Sequence, residues 1–309
     1  MRRQSGNSWG AENMGKRSVM VLLTAVCMAL SSCQSSVPQT ESLPHTGVSF
    51  SNEDKLTADI RERLKKRQYN IVIEYNSKTD DLTDTSELIN RLMDKAVSET
   101  GQPDEGDYLA FQLGGYDAKT SCESADEGYL HTISIFPHCY TDVRQEEKVD
   151  ERVREISRSF GFDEDTTDIE KLRRIYDYIY DNVEYDIIHK NNAGYHLKST
   201  AYGALINGHA TCQGYAVTLY RLLRENGVDC RVITGKAYDE DLGEEYHAWN
   251  IAGIDGKYYF IDITWDKRLE TRADRLLCRE SFYSHTPDEK YTKQDFCTEY
   301  PVADEDMRF

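Results

Sequence analysis

A predicted β-hairpin near residue 255 is the feature that most constrains how this chain folds. Two runs rich in β-branched and aromatic residues, 247–252 and 257–264, flank the dipeptide Asp255-Gly256. Two-residue type I′ turns prefer this dipeptide, because both of their central positions need a positive φ. The sequence therefore predicts an antiparallel pair of strands whose side chains alternate between two faces.

The register of this hairpin brings one histidine and one aspartate together. With a two-residue turn His247 faces Thr264, and Asp262 shares the face of Thr264 because side chains repeat every two residues. His247 and Asp262 are then diagonal neighbours with backbones roughly 7–8 Å apart, so an imidazole and a carboxylate can meet. A four-residue loop would keep this parity, whereas an odd loop would break it.

A cysteine lies at the start of a predicted helix. Residues 212–226 have the pattern of a helix that Gly227 terminates, which places Cys212 at its amino terminus. Unpaired N–H groups and the helix dipole favour a thiolate there and lower the pKa of the thiol, as a nucleophile requires. The alternative is a buried cysteine that only fills space.

These three residues have the pattern of a thiol acyl-transfer triad. Cys212 would attack a carbonyl carbon, His247 would take and return a proton, and Asp262 would fix the imidazole tautomer. For the histidine and aspartate alone, a structural hydrogen bond is the alternative interpretation. The cysteine at a helix start is what favours catalysis.

Three further residues are candidates for contact with a substrate. An acyl-transfer site needs donors for the oxyanion, and the backbone N–H of Cys212 is the first of them. Gln213 and Trp249 are the candidates for the second donor. Trp249 and Trp265 are also candidate walls of the site, with ordinary core packing as the alternative.

Composition and motifs exclude several classes of partner. The 309 residues include 55 acidic and 37 basic ones, and the net charge of −18 argues against nucleic acid, whose phosphates require a basic surface. The sequence contains no Walker loop, no GxGxxG and no HExxH, and its histidines and cysteines lack zinc-ligand spacing. We expect neither a cofactor nor a metal ion.

Residues 1–33 predict a secretory signal that ends in a lipidated cysteine. Basic residues at 16 and 17 precede an apolar run over 19–30, which is too short to remain as a membrane-spanning helix. The run ends in Leu-Ser-Ser-Cys33, which resembles the bacterial lipobox, where cleavage precedes the cysteine and the cysteine carries the lipid. A plain secretory signal is the alternative. We expect a lipid anchor on Cys33 at the extracytoplasmic side of a membrane in a bacterial cell envelope.

The remaining chain divides into a tether and two domains. Residues 34–50 are rich in Ser, Pro and Thr and predict a flexible tether. Residues 51–160 predict a small α+β lead-in domain, and residues 161–309 predict the catalytic domain. The elements expected in the lead-in domain are helices over 52–67 and from Asp84 onward, and strands over 71–75, 108–113 and 129–136.

Five other cysteines lie beyond Cys33, apart from Cys212. At most two disulfides can form among them, and their connectivity is open. Two bridges are possible by position, Cys122 with Cys139 and Cys278 with Cys297, and free thiols throughout are the alternative.

The stretch from Thr200 to Lys267 resembles the transglutaminase-like superfamily, most closely its bacterial secreted and lipoprotein members. The blocks that carry the resemblance are 202–205, 208–216, 227–228, 247–250 and 259–266. The resemblance implies a papain-like α+β core, in which a helix carrying the cysteine packs on an antiparallel sheet carrying the histidine and the aspartate. It places the triad at Cys212, His247 and Asp262.

The resemblance does not choose the reaction. Members include protein cross-linkers, peptidases and amide hydrolases, and all share an acyl-thioenzyme step. We predict hydrolysis of a peptide or amide bond. The expected substrate is a peptide or a protein, and cell-wall peptide is one of the candidates. The alternatives are a protein-glutamine transglutaminase, and a non-catalytic surface module that binds peptide or glycan.

Overall fold

The computed structural model describes residues 20–21, 53–80, 85–239, 243–282 and 284–309. Helices and strands both contribute, so the predicted α+β class is confirmed. The chain divides into two units, and the described part of the larger one comprises residues 98–112 and 140–309. The predicted boundary after residue 160 therefore lies inside this larger unit. Cys33 and the predicted tether lie outside the described residues.

The smaller unit, within residues 17–97 and 113–139, is a four-stranded sheet with two helices. Its strands run in the order β1 (Met20–Val21), β3 (Leu113–Ala125), β4 (Gly128–Cys139) and β2 (Ile71–Ser77), with β1 parallel to β3 and the other neighbours antiparallel. The two helices pack against each other, and Arg61 Nε donates to the carbonyl of Ala96 at 2.8 Å. The elements are β1 (Met20–Val21), α1 (Glu53–Lys65), β2 (Ile71–Ser77), α2 (Thr85–Ala96), β3 (Leu113–Ala125) and β4 (Gly128–Cys139).

The prediction of a strand over residues 108–113 of the lead-in domain is wrong. Residues 108–113 were expected to be extended, but Asp107–Phe111 form a short helix, α3, which belongs to the larger unit. The Asp107 carboxylate accepts bonds from the Arg231 side chain and from the backbone N–H of Val232. This short helix is thus hydrogen-bonded to residues more than a hundred positions away, which a local pattern cannot show.

The larger unit surrounds one central helix, α7 (Cys212–Glu225). The sequence expectations hold for α5 (Asp168–Asn182), which begins at a capping box of Thr167 and Glu170, and for α7, which Gly227 follows with a positive φ of 80°. The helices are α4 (Val143–Phe160), α5 (Asp168–Asn182), α6 (Ala201–Leu205), α7 (Cys212–Glu225), α8 (Ile263–Arg268) and α9 (Gln294–Glu299). The strands are β5 (Glu184–Tyr185), β6 (His209–Ala210), β7 (Cys230–Asp239), β8 (Gly243–Ile254), β9 (Lys257–Ile261), β10 (Arg275–Leu276), β11 (His285–Pro287) and β12 (Met307–Arg308). Short 3₁₀ turns occupy His196–Ser199 and Glu289–Tyr291.

An antiparallel sheet in the order β11-β7-β8-β9, here the main sheet, is buried on both faces. One face packs on α7, where Ala248 and Ala252 join the core and Asn250 Nδ2 donates to the Ala216 carbonyl at 3.0 Å. The carboxy-terminal segment covers the other face. That second core comprises Ile233, Trp249, Ile251, Tyr258, Phe260, Phe282, Tyr291 and Tyr300. The C-terminal residues thus complete the sheet that carries His247.

The predicted hairpin is confirmed at its turn and corrected at its end. Asp255 and Gly256 have positive φ values of 51° and 78°, and Ile254 pairs with Lys257 as the two-residue turn requires. The strand expected to run to Thr264 ends at Ile261, where α8 follows. The carboxylate of Asp262 caps that helix by accepting from the N–H of Trp265 at 3.0 Å.

Among the described residues, neither of the two bridges considered from the sequence is formed, since Cys122 is not bonded to Cys139 and Cys278 is not bonded to Cys297. Within the described ranges, no helix is both long and apolar enough to cross a bilayer.

Candidate active site

Cys212 is the first residue of α7, as the sequence predicts. The preceding residue, Thr211, makes no side-chain cap, so no side chain competes for the N–H groups of the first turn. The helix start is packed tightly, because a Cβ at Gly214 would lie 2.7 Å from the carbonyl oxygen of Lys198. The free N–H groups can therefore face an anion at Cys212.

His247 and Asp262 meet as the hairpin register predicts. Nε2 of His247 lies 2.6 Å from Oδ2 of Asp262. Because Nε2 is engaged there, Nδ1 is the nitrogen left for the thiol of Cys212, which interacts with the imidazole and raises its pKa. The backbone N–H of Ala248 acts on the same thiol and lowers its pKa. The structure thus brings all three residues into one electrostatically coupled cluster.

Asp262 accepts four hydrogen bonds. Its Oδ1 accepts from the Thr264 hydroxyl at 2.6 Å and from the N–H of Trp265 at 3.0 Å. Its Oδ2 accepts from His247 and also from Nε2 of His285, at 3.0 Å. The sequence analysis missed His285, which lies in no recognisable motif and reaches the site only through the pairing of β11 with β7.

The charges of the three residues favour a thiolate–imidazolium pair. Burial alone would raise the pKa of Cys212, but the imidazolium of His247 outweighs it and lowers that pKa. Burial would lower the pKa of His247, whereas the Asp262 carboxylate and the thiolate hold it well above its usual value. Burial also opposes the charge of Asp262, yet the His247 imidazolium keeps the pKa of this carboxyl well below its usual range. The ion pair therefore exists between the lowered thiol pKa and the raised imidazolium pKa.

The three weaker sequence candidates have different surroundings. Gln213 uses its amide nitrogen to donate to the carbonyls of Phe111, at 2.7 Å, and Ser199, at 3.3 Å, so this amide is not free to hold an oxyanion. Trp249 is 1% exposed, and its indole N–H has no partner among the residues that the structure describes. The ring centroids of Trp249 and Trp265 lie 6.1 and 5.8 Å from that of His247. The two tryptophans thus flank the imidazole.

Lys198, which interacts electrostatically with Cys212, also holds the loop of residues 189–192. The Lys198 ammonium donates to three loop carbonyls, those of His189, Lys190 and Asn192, at 2.7–2.8 Å. Lys190 also pairs with Glu245 on β8 at 3.2 Å. The loop is therefore tied to the strand that carries the catalytic candidate His247.

The side chains of His247, Asp262 and His285 are also a possible metal-ligand set. One ligand atom from each residue lies within 4.8 Å of the others, and two imidazoles with one carboxylate suit zinc. Both imidazoles, however, donate N–H bonds to the same carboxylate oxygen. A metal ion would have to displace both of these protons, so the donor set fits a hydrogen-bonded triad better than a metal centre.

Residues 155–263 match the family model described as the Transglutaminase-like superfamily. This segment is a transglutaminase-like domain. The resemblance seen in the sequence blocks is thereby confirmed, together with the α+β class that it implies. The domain contains Cys212, His247 and Asp262, whereas His285 lies beyond its matched residues.

The chain is also similar to two proteins of known name. The chain is 27% identical over 238 residues to the human kyphoscoliosis peptidase, covering 68% of this chain and 34% of the relative. The mouse protein of the same name is 24% identical over 240 residues, covering 70% and 34%. The chain thus spans about a third of the length of these relatives. A solved TGase, or transglutaminase, aligns at 15% identity with a TM-score of 0.34, covering 71% of this chain and 59% of that one.

Proposed function

We propose that this chain is a cysteine acyl-transfer enzyme that hydrolyses a peptide or amide bond. The observation that carries the proposal is the connected array of Cys212, His247 and Asp262, with the thiol at a helix amino terminus and its pKa lowered. A module that merely binds peptide has no need of a thiol charged in this way.

The geometry supports a two-step mechanism. The Cys212 thiolate attacks the carbonyl carbon, and its backbone N–H at the start of α7 can stabilise the oxyanion. The imidazolium of His247 then gives its Nδ1 proton to the leaving amine, and a thioester remains on the enzyme. A water molecule attacks this thioester while His247 takes the proton from the water, so the acid leaves and the thiolate is restored. Asp262 keeps the imidazole in the required orientation throughout.

The substrate is proposed to be a peptide or protein, including cell-wall peptide. The name of the human relative supports a peptidase activity. The net charge of −18 would steer a basic substrate toward the enzyme, an effect that salt should weaken. Cross-linking remains the second candidate reaction, because it shares the acylation step and differs only in the acceptor.

p-Nitrophenyl acetate tests the acyl-transfer step without knowledge of the natural substrate. We expect it to acetylate Cys212 with release of nitrophenolate, and we expect mass spectrometry to find the acetyl group on this thiol and on no other cysteine. Added monodansylcadaverine then competes with water for the acetyl group. If the acetyl group leaves mainly as acetate, the result supports hydrolysis. If it leaves mainly as the dansylated amide, cross-linking would become the proposed reaction in place of hydrolysis. Absence of acetylation at Cys212 would favour a binding module.

We also propose that the mature protein is held at the outer side of a bacterial membrane by lipid on Cys33. The proposal rests on the Leu-Ser-Ser-Cys33 sequence after the apolar run. Expressed with its own leader in a bacterium, the full chain should partition into the detergent phase of Triton X-114, and its mature form should begin at an acylated Cys33. Replacement of Cys33 by Ala should move it to the aqueous phase. A wild-type chain that stays in water would contradict the anchor.

A further inference from the structure

A second histidine is held against the triad aspartate. The side chain of His285 is only 1% exposed, and its Nε2 lies 3.0 Å from Asp262 Oδ2. Its Nδ1 lies 2.8 Å from the hydroxyl of Ser284, which can donate to it and so leave the proton of the neutral ring on Nε2. His285 therefore faces the carboxylate as a donor.

The surroundings of His285 leave its ring little freedom. The ring stacks on Phe282 with centroids 4.0 Å apart, and it meets Trp249 and Trp265 edge-on, both at 5.0 Å. Its backbone lies in β11 and pairs with Ala237 of β7. These contacts fix the ring and keep its Nε2–H directed at Asp262.

We propose that His285 is a positioning residue of the triad, which acts through Asp262 by sharing the Oδ2 atom to which His247 donates. This inference rests on the proposed function of the triad. Two imidazoles then compete for the charge of one oxygen, while Thr264 and Trp265 hold the other oxygen. Because part of that charge is drawn away, Asp262 binds the proton of His247 less tightly, and His247 becomes a better acid toward the leaving group.

Other titratable groups also act on this array and stay in place when His285 is replaced. Tyr185 on β5 interacts with Cys212, Glu245, Asp262 and Arg268, and Tyr246 on β8 and Lys198 interact with Cys212. Asp266 on α8 lies near Asp262, and burial raises its pKa to about 7. Comparison between variants that all retain these groups isolates the contribution of His285.

Alkylation of Cys212 by iodoacetamide, mapped by mass across pH, tests the inference. In the wild-type protein the rate should rise first when the thiolate–imidazolium pair forms and again when His247 loses its proton. His285→Phe, which keeps a planar ring without a donor, should move the second rise upward by about one pH unit, equivalent to about tenfold tighter proton binding. His285→Gln, which retains an N–H donor, should stay close to the wild-type profile.

Phe296→Leu is the matched control, since its ring packs against the same apolar core and contacts Tyr291 and Tyr300 rather than His285 or Asp262. We expect it to lower the thermal stability but to leave both rises in place. Equal shifts in this control and in His285→Phe, or no shift in His285→Phe, would overturn the positioning role. If the Phe variant fails to fold, Ser284→Ala replaces it, with an upward shift of the second rise expected and no shift contradicting the inference. A wild-type Cys212 without the first rise would instead refute the proposed function.

Discussion

Replacing Cys212 by Ala should lower the rate of p-nitrophenyl acetate hydrolysis by at least about 10³-fold, to the level of the uncatalysed reaction. The reason is that no acyl-enzyme can form without the thiolate, which the His247 imidazolium stabilises. Cys230 is fully buried, and burial raises the pKa of its thiol, which makes it a poor substitute. Release of nitrophenolate, followed by absorbance, measures the effect.

Two further variants complete this experiment. Cys297→Ala removes an exposed thiol and should leave the rate unchanged. His247→Ala should keep Cys212 but suppress its alkylation by iodoacetamide at pH 6 by about tenfold to a hundredfold, because the thiolate fraction falls while the more basic thiolate regains some nucleophilicity. Persistent hydrolysis in Cys212→Ala would show that another group is the nucleophile.

Replacing Asp107 by Ala should lower the free energy of unfolding by about 3–5 kcal/mol. The side chain of Asp107 is 10% exposed and that of Arg231 is 14% exposed, and they form a two-bond pair at 2.7 and 3.0 Å. Asp107 also accepts from the N–H of Val232 at 2.8 Å. Loss of this carboxylate leaves the guanidinium and a strand N–H largely buried with fewer partners. Urea denaturation followed by circular dichroism measures the change.

A double variant separates the charge effect from packing. Asp107→Leu combined with Arg231→Met removes both charges and should recover much of the lost stability, because a buried ion pair can often be replaced by apolar side chains. Glu99 lies 3.6 Å from Arg231 and the Tyr300 ring lies 4.6 Å away, so the arginine of the single variant is not wholly uncompensated. If Asp107→Ala lowers the free energy of unfolding by less than about 1 kcal/mol, Glu99 and Tyr300 are sufficient to stabilise the charge of Arg231.

Local patterns predicted much of the site. The Asp255-Gly256 dipeptide specifies a turn, and the two-residue repeat of strands then determines which residues pair, so the meeting of His247 with Asp262 could be inferred. The position of Cys212 followed in the same way from the helix that ends before Gly227. These inferences succeed because turn geometry and side-chain periodicity act over a few residues.

Other features depend on contacts between distant parts of the chain. Asp262 lies on the cap of α8 rather than within a strand, and the amide of Gln213 is drawn to Phe111 and Ser199. Residues 107–111 are helical although their pattern suggested a strand. Gln213 and Asp107 make hydrogen bonds to residues more than a hundred positions away, and Asp262 accepts from His247 and His285 as well as from its own helix.

The sequence by itself determined the position of Cys212 at a helix start, the histidine–aspartate pair and the α+β class, because helix ends and hairpin registers are encoded within about twenty residues. Only the tertiary structure revealed the role of the C-terminal segment. That segment buries the second face of the main sheet. It also brings His285 to Oδ2 of Asp262, the oxygen to which His247 donates. No periodicity links residues 262 and 285, so the contact exists only because β11 pairs with β7 when the sheet assembles.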